Sequence, residues 1–447
     1  MNNTTRRIYV GLISGALVLH VGFVMWIWIT GSNLLLHSGT PSILIALGRL
    51  TGLLGTTVLL VQLLFIGRFP LTERLFGFAR LNRIHRIVGY STAFFLFTHP
   101  LLLIVGYSSL GQVGYYEQLK IFLQDWHDIL GALVGLGLFT LVILFSLPAV
   151  RRRLRYEAWH GVHFLTYLAL FLVFSHQTNY GDFTDTQFFI YWNSIFYVVV
   201  GGVLTMRFVR PFLLWYRHRF RIHHIVMESH DVASIYISGR NVEEFRFRAG
   251  QFAFLTFLNS RVLLDLAHPF SFSSSRGSSM IRFTIKVSGD FTKRIKTLSA
   301  GTPVVIDGPL GNFTLEQSWG NKFLFIAGGI GITPFVSMVT ELGVHDDVMM
   351  FYAARTSGDL VFGSDLEKKL GNRLHYFISR EISGGGGVSS YKGKRITVEA
   401  MHSQAPDLKE RDIYVCGPPG MVRELTRDLL LEQFDPRRLH SEVFSLS

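Results

Sequence analysis

The sequence predicts a multi-domain membrane protein: a six-helix transmembrane bundle, then an antiparallel β-barrel, then a parallel α/β domain. Three observations predict it. Six apolar runs precede residue 215, each near the ~20 residues that span a bilayer. Arginines crowd alternate connections between those runs. After about residue 220 the pattern turns strand-like, and from about 322 strands alternate with helical stretches. A chain of 447 residues at 49% hydrophobic content is too long for one ordinary domain and too apolar for a fully soluble one. The domain boundaries expected from these shifts are 1–215, 216–318 and 319–447.

The apolar runs cover 8–30, 43–66, 86–107, 128–147, 158–177 and 188–213. The first is not read as a cleaved leader, because it is long, lacks a small-residue cleavage site and is followed by further spans. Arg6 and Arg7 precede it. Arg68, Arg74, Arg80, Arg83 and Arg86 fill the second connection, Arg151, Arg152, Arg153 and Arg155 the fourth, and Arg207, Arg210, Arg217, Arg219 and Arg221 follow the sixth run. The other connections hold only Lys120. Positive loops stay inside, so both termini are expected in the cytoplasm of a multi-pass plasma (inner) membrane protein. The net charge of +12 is therefore topological, and nucleic acid is not an expected partner. Cys416 is the only cysteine, which excludes disulfides, Cys-rich clusters and covalent c-type haem.

Histidines mark the third and fifth runs. His85 and His99 stand at i, i+14, within ~40° of one helix face and ~21 Å apart along the axis. His163 and His176 stand at i, i+13, which an ideal helix places ~140° apart, so a π-bulge or kink in the fifth run is expected. Both runs cross from inside to outside. Each membrane level thus receives one histidine from each helix: His85 with His163 inside, His99 with His176 outside. Opposed neutral imidazoles are what a six-coordinate haem iron needs, and ionisable residues inside a membrane are functional by default. Two haem b groups at two depths are expected. His20, His37, His127 and His160 lack a paired pattern and are read as interfacial or loop residues. Arg49, in the second run towards the outer side, either snorkels to the interface or assists an outer haem propionate or an acceptor.

In the soluble half, "IVMESHDVASIYISG", "FRAGQFAFLTF" and "MIRFTIKV" read as strands of a small antiparallel barrel. "FIAGGIGITPFVSM" follows a strand and opens a helix. Gly328, Gly329 and Gly331 allow a backbone to approach a pyrophosphate, with Thr333 and Pro334 starting the helix.

The stretches "HRIVGYSTAFFLFTH" and "WHGVHFLTYLALFLVFSH" resemble the ferric reductase-like transmembrane domain, and the C-terminal half resembles the ferredoxin–NADP reductase superfamily. In this order they resemble the NADPH oxidase and ferric reductase families over nearly the whole chain. The resemblance implies a haem-binding bundle, an FAD-binding barrel and an NAD(P)H-binding α/β domain. His268, Pro269, Phe270 and Ser271 match the segment along the flavin ring and phosphate. Ile285, Lys286, Gly289 and Thr292 match a second FAD segment, with Gly289 to Thr292 opening a helix toward the diphosphate. Arg355 matches the strand end that meets the adenosine ribose, which favours NADPH over NADH. Cys416, Gly417 and Pro418 match the segment near the nicotinamide, and Phe444 the terminal aromatic over the flavin. The implied activity is electron transfer from cytosolic NAD(P)H through FAD and two haems to a small-molecule acceptor outside. Dioxygen giving superoxide is the expected reaction, with Arg49 assisting, and no obligatory protein partner is expected. A ferric-chelate or quinone reductase uses the same wire, and a histidine-based proton or metal transporter is the remaining alternative.

Overall fold

The computed structural model describes residues 3–125, 128–179, 186–258, 267–288, 290–381 and 390–443. His127, Gly289 and Phe444 lie outside the described residues. By its internal contacts the chain divides into two compact units, one of the residues up to 76 with 80–206, the other of 77–79 with 207–447.

The first unit holds α1 (Asn3–Leu36), α2 (Thr40–Ile66), α3 (Phe78–Gly111), α4 (Ile129–Ser146), α5 (Tyr156–Asn179) and α6 (Thr186–Leu204). Six helical segments of the described residues are long and apolar enough to cross a membrane, as the sequence predicted. Small residues set how closely they pack. A Cβ at Gly48 of α2 would sit 2.7 Å from Leu103 Cδ2 of α3, and one at Gly106 of α3 2.7 Å from Ile45 Cγ1 of α2. A Cβ at Gly135 of α4 would meet Val173 of α5 at 2.6 Å. Glycines of this kind bring backbones together where burial against lipid gives no hydrophobic drive. The packing places α2 against the helix that carries His85 and His99, and α4 against the helix that carries His163 and His176.

Two expectations about helix continuity change. The fifth run was expected to distort, yet α5 is α-helical throughout. The π-turn lies instead at Thr205–Val209, between α6 and α7 (Arg210–His218), where the sequence read one uninterrupted span. Pro211 gives the reason. It has no N–H for the carbonyl one turn earlier, and a wider turn absorbs the mismatch.

Among the described residues the second unit carries twelve strands. β1 (Arg221–Ser229), β2 (Val232–Ser238) and β5 (Ile281–Lys286) form one antiparallel sheet in the order β1-β2-β5. β4 (His268–Ser271), β3 (Phe252–Phe257) and β6 (Val304–Leu310) form a second, in the order β4-β3-β6. Single bridges between Phe272 and Phe283 and between Arg221 and Pro303 join the two sheets. Their inner faces share one core, which includes Ile235, Leu255, Phe283 and Ile306. This is the expected barrel, built as two short sheets closed on each other.

The remaining strands, β7 (Lys322–Gly328), β8 (Asp347–Ala354), β9 (Leu374–Ile378), β10 (Ser390–Lys392), β11 (Asp412–Gly417) and β12 (Leu439–Val443), form a parallel sheet in the order β10-β9-β8-β7-β11-β12. Chain order reverses beside β7. In such sheets ligands bind beyond the carboxyl ends of the strands at that reversal. α8 (Thr333–Glu341) starts just after β7 and α9 (Pro419–Leu431) just after β11. α8 also ties this sheet to the barrel. Gly250 N–H donates to Ser337 Oγ at 3.1 Å and Ala249 N–H to Glu341 Oε1 at 3.3 Å.

Candidate functional sites

The histidines of α3 and α5 meet in two pairs. The ring centroids of His85 and His163 are 6.2 Å apart, and those of His99 and His176 are also 6.2 Å apart. One metal–nitrogen bond to imidazole is about 2 Å. Two such bonds plus two half-rings account for a separation of this size, so the centroid spacing of each pair suits one metal ion held between two imidazoles.

The ring orientations support the same chemistry. His99 Nδ1 lies 2.8 Å from the Gly48 carbonyl and His85 Nδ1 3.3 Å from the Gln62 carbonyl, both on α2. A carbonyl only accepts, so Nδ1 carries the proton and Nε2 keeps the lone pair that a metal needs. His163 Nδ1 is 3.4 Å from Ser146 Oγ, which also receives Trp159 Nε1–H at 3.3 Å. Gly52 makes room for the outer ring: a Cβ there would lie 2.7 Å from His99 Nδ1. α5 thus brings His163 and His176 to the two pairs without a π-turn within it. The residues thus fit two iron ligand pairs of the kind a b-type haem requires.

Arg49 directly follows the Gly48 whose carbonyl holds His99, so it stands at the level of the His99–His176 pair, with Nη1 3.5 Å from the Gly31 carbonyl. His20 lies within α1 rather than in a loop and reaches Tyr191 Oη at 2.8 Å and Thr57 Oγ1 at 3.1 Å. His37 caps its own helix end through the Asn33 carbonyl, and His160 stacks on Tyr156.

In the barrel, β4 is His268-Pro269-Phe270-Ser271, paired with β3 so that Ser271 faces Phe252 and Phe270 faces Ala253. Ser271 Oγ is buried and has no hydrogen-bond partner among the described residues. A buried hydroxyl without a partner is costly, and a ligand that completes it explains it. Ile285 is core, whereas Lys286 Nζ is engaged by Asp231 at 3.0 Å. The helix expected at 289–292 is one short turn, Asp290–Arg294, whose Thr292 Oγ1 takes the Ser288 N–H at 2.9 Å.

At the sheet's carboxyl edge the three glycines divide. Gly329 has a φ of +53° and open space where a Cβ would stand. Gly331 abuts the Cys416 carbonyl, and Gly328 lies 2.8 Å, by its built Cβ, from Pro418 Cδ. Gly417 packs against Gly328 from the other strand. Only Gly329 therefore leaves backbone open to a pyrophosphate; Gly328, Gly331 and Gly417 let the ends of β7 and β11 touch. Thr333 and Pro334 open α8 as expected. Arg355 is exposed at the end of β8, and Arg380, which sequence reasoning missed, follows β9 with its N–H 2.9 Å from the Arg355 carbonyl.

Cys416 is fully buried, and burial raises its thiol well above the ordinary range, so it stays protonated. Across the β11–β12 ladder it pairs with Glu442. Glu442 Oε2 is buried without a hydrogen-bond partner among the described residues, and burial pushes its carboxyl up to about 8. Nothing local marks Glu442 in the sequence, since the pairing is long-range. A measurable consequence follows. The unfolded carboxyl titrates near 4.5 and the folded one near 8, so between these values the unfolded state releases a proton the folded state keeps. Stability is lost as pH rises across that window. Glu442→Gln is therefore expected to remove this slope: thermal melts of the two proteins converge at pH 4.5 and the variant is the more stable at pH 9. An unchanged slope would contradict the buried carboxyl.

The fold and these sites define a membrane-spanning oxidoreductase-type flavoprotein. Residues 51–174 match the family "Ferric reductase like transmembrane component", 201–314 an "FAD-binding domain" and 325–427 an "Oxidoreductase NAD-binding domain". The chain thus joins a ferric reductase-like transmembrane domain to FAD- and NAD-binding domains, the architecture the sequence resembles. It is 27% identical over 240 residues to a glycine betaine monooxygenase reductase subunit of Chromohalobacter salexigens, covering 51% of this chain and 64% of that one. It is 31% identical over 207 residues to a probable dihydroorotate dehydrogenase B electron transfer subunit of Methanocaldococcus jannaschii, covering 46% and 70%. Among solved structures, a ferredoxin NADP+ reductase from Neisseria gonorrhoeae with bound FAD and NADP aligns at TM-score 0.42 and 17% identity, covering 51% of this chain and 98% of that one.

Proposed function

We propose that the protein carries electrons from cytosolic NAD(P)H to an acceptor at the outer membrane face, dioxygen being reduced to superoxide. The observation that carries this reading is the pair of 6.2 Å histidine contacts, at two levels of one helix pair. Bound FAD would supply hydride acceptance from NAD(P)H, and two haems, one held by His85 with His163 and one by His99 with His176, would supply single-electron transfer across the membrane.

The chain's own residues do the rest. His85, His163, His99 and His176 supply the ligand nitrogens, and the α2 carbonyls hold two of those rings in the proton state that ligation needs. Arg49 supplies a positive charge at the outer level, where an acceptor gains negative charge. On the cytosolic side, with both termini inside, the β4 segment and Ser271 bind the flavin. Gly329 and the start of α8 receive the dinucleotide pyrophosphate, and the ends of β7 and β11 set the nicotinamide beside Cys416. Phe444 is assigned to the flavin face by its position in the family motif alone. Purified protein in detergent tests the product: NADPH oxidation with a cytochrome c trap is expected to be suppressed by superoxide dismutase. Insensitivity to dismutase would contradict superoxide and favour direct reduction of a ferric chelate.

Arg355 and Arg380 together make a two-arginine end that suits a 2′-phosphate. Arg355→Ala is expected to raise KM for NADPH by about tenfold, equivalent to about 1.4 kcal/mol, and leave KM for NADH within twofold. Equal effects on both nucleotides would remove the 2′-phosphate role.

A further inference from the structure

His176 differs from the other three membrane histidines. His85 and His99 have Nδ1 against α2 carbonyls and His163 has Nδ1 against Ser146. The His176 ring has no such tether from another helix among the described residues: its Nδ1 is buried, and the backbone group against the ring is the Val173 carbonyl of its own helix. His176 also lies in the last turn of α5. Helix ends fray because their carbonyls lack partners within the helix. A metal ligand at such a place needs a tether from elsewhere.

The next residue provides one. Gln177 Oε1 accepts from Thr56 Oγ1 of α2 at 3.2 Å and from Trp192 Nε1 of α6 at 3.2 Å. An indole N–H only donates, so the amide oxygen must face Trp192 and the side chain has one orientation. Both donors are buried, Thr56 at 7% and Trp192 at 3% exposure. Trp192 is in turn stacked on His20, ring centroids 6.3 Å apart and planes at 16°, and His20 is fixed by Tyr191 and Thr57. Helices 1, 2 and 6 thus converge on one amide beside the ligand.

We infer that Gln177 is a positioning residue for His176: held by Thr56 and Trp192, it fixes the end of α5 and with it the imidazole plane at the outer level. This rests on the reading of the outer pair as iron ligands. Outer partners of this kind orient ligands and tune the metal. The inference also gives His20 a purpose, as the support behind Trp192.

Electron paramagnetic resonance of the oxidised, detergent-purified full chain tests it. The wild type is expected to show two low-spin ferric signals, and His99→Leu identifies the outer one by removing it. Gln177→Leu is expected to shift the outer signal alone, or convert roughly half or more of it to a high-spin form, as for loss of a ligand's support. Gln177→Glu keeps an acceptor oxygen and is expected to restore it. Thr56→Val and Trp192→Phe, which preserve shape, are expected to give smaller shifts of the same signal and serve where Gln177→Leu does not insert. Unchanged outer signals in these variants, or equal shifts of both, would overturn the positioning role. A wild type without either low-spin signal would instead overturn the ligand reading beneath it.

Discussion

His99→Leu is expected to cut acceptor reduction at the outer face by more than about 100-fold, beyond the 10–100-fold typical of losing only a ligand's support. Flavin reduction by NADPH is expected to stay within twofold of wild type. The dissociation of the two effects is the point. His99 sits in the membrane unit with its Nδ1 on the Gly48 carbonyl, while the nucleotide and flavin segments belong to the other unit. Leucine has comparable bulk for the pocket that Gly52 opens, so the loss is of a ligand nitrogen rather than of packing. Stopped-flow flavin reduction and steady-state acceptor reduction, measured on one preparation, separate the two. Unimpaired acceptor reduction would mean that electrons leave before the outer level.

Gly331→Ala is expected to be a severely damaging single-methyl change at the carboxyl edge of the parallel sheet. The added Cβ meets the Cys416 carbonyl and the backbone of Gly417, and backbone cannot rotate away. Overpacking of side chains costs about 1–3 kcal/mol, and a backbone obstacle puts this change at or above the upper end. The ends of β7 and β11 must part, so NADPH affinity is expected to fall about 100-fold, about 2.7 kcal/mol at 1.36 kcal/mol per decade, together with the melting temperature. Gly329→Ala is the comparison for the melting temperature. It has open space but a φ of +53°, so it carries only the left-handed cost of about 1–2 kcal/mol. A Gly331→Ala protein that melts and binds NADPH like wild type would contradict the close approach of these loops.

Much of this was legible in the sequence, for reasons that differ by element. The spans are long uniform apolar runs, a signal that survives any neighbour. The strand–glycine–helix segment at 322–341 is local, so its order showed, but the different work of Gly329 and Gly331 did not, because Gly331 answers to Cys416 far along the chain. His85 and His99 showed one face by spacing. His163 and His176 did not, and the distortion expected for them is absent while a π-turn at Pro211 replaces it elsewhere. The supports of the ligands were hidden for a related reason. Gly48, Gln62 and Ser146 act through carbonyl or hydroxyl oxygens, and Gln177 through partners on two other helices. The small-residue spacing of Gly48, Gly52 and Gly55 was the one available signal for the α2 face. Glu442 depends on a strand register that no local pattern encodes.

Two haems held by the two histidine pairs would make one path across the membrane. The most direct test is the dithionite-reduced minus oxidised absorption spectrum of the purified protein, with haem and flavin quantified. The expected result is b-type Soret and α bands at two haems and one FAD per chain, with one haem lost in His99→Leu and the other in His163→Leu. Absence of the b-type bands, or bands that persist undiminished in both variants, would contradict it.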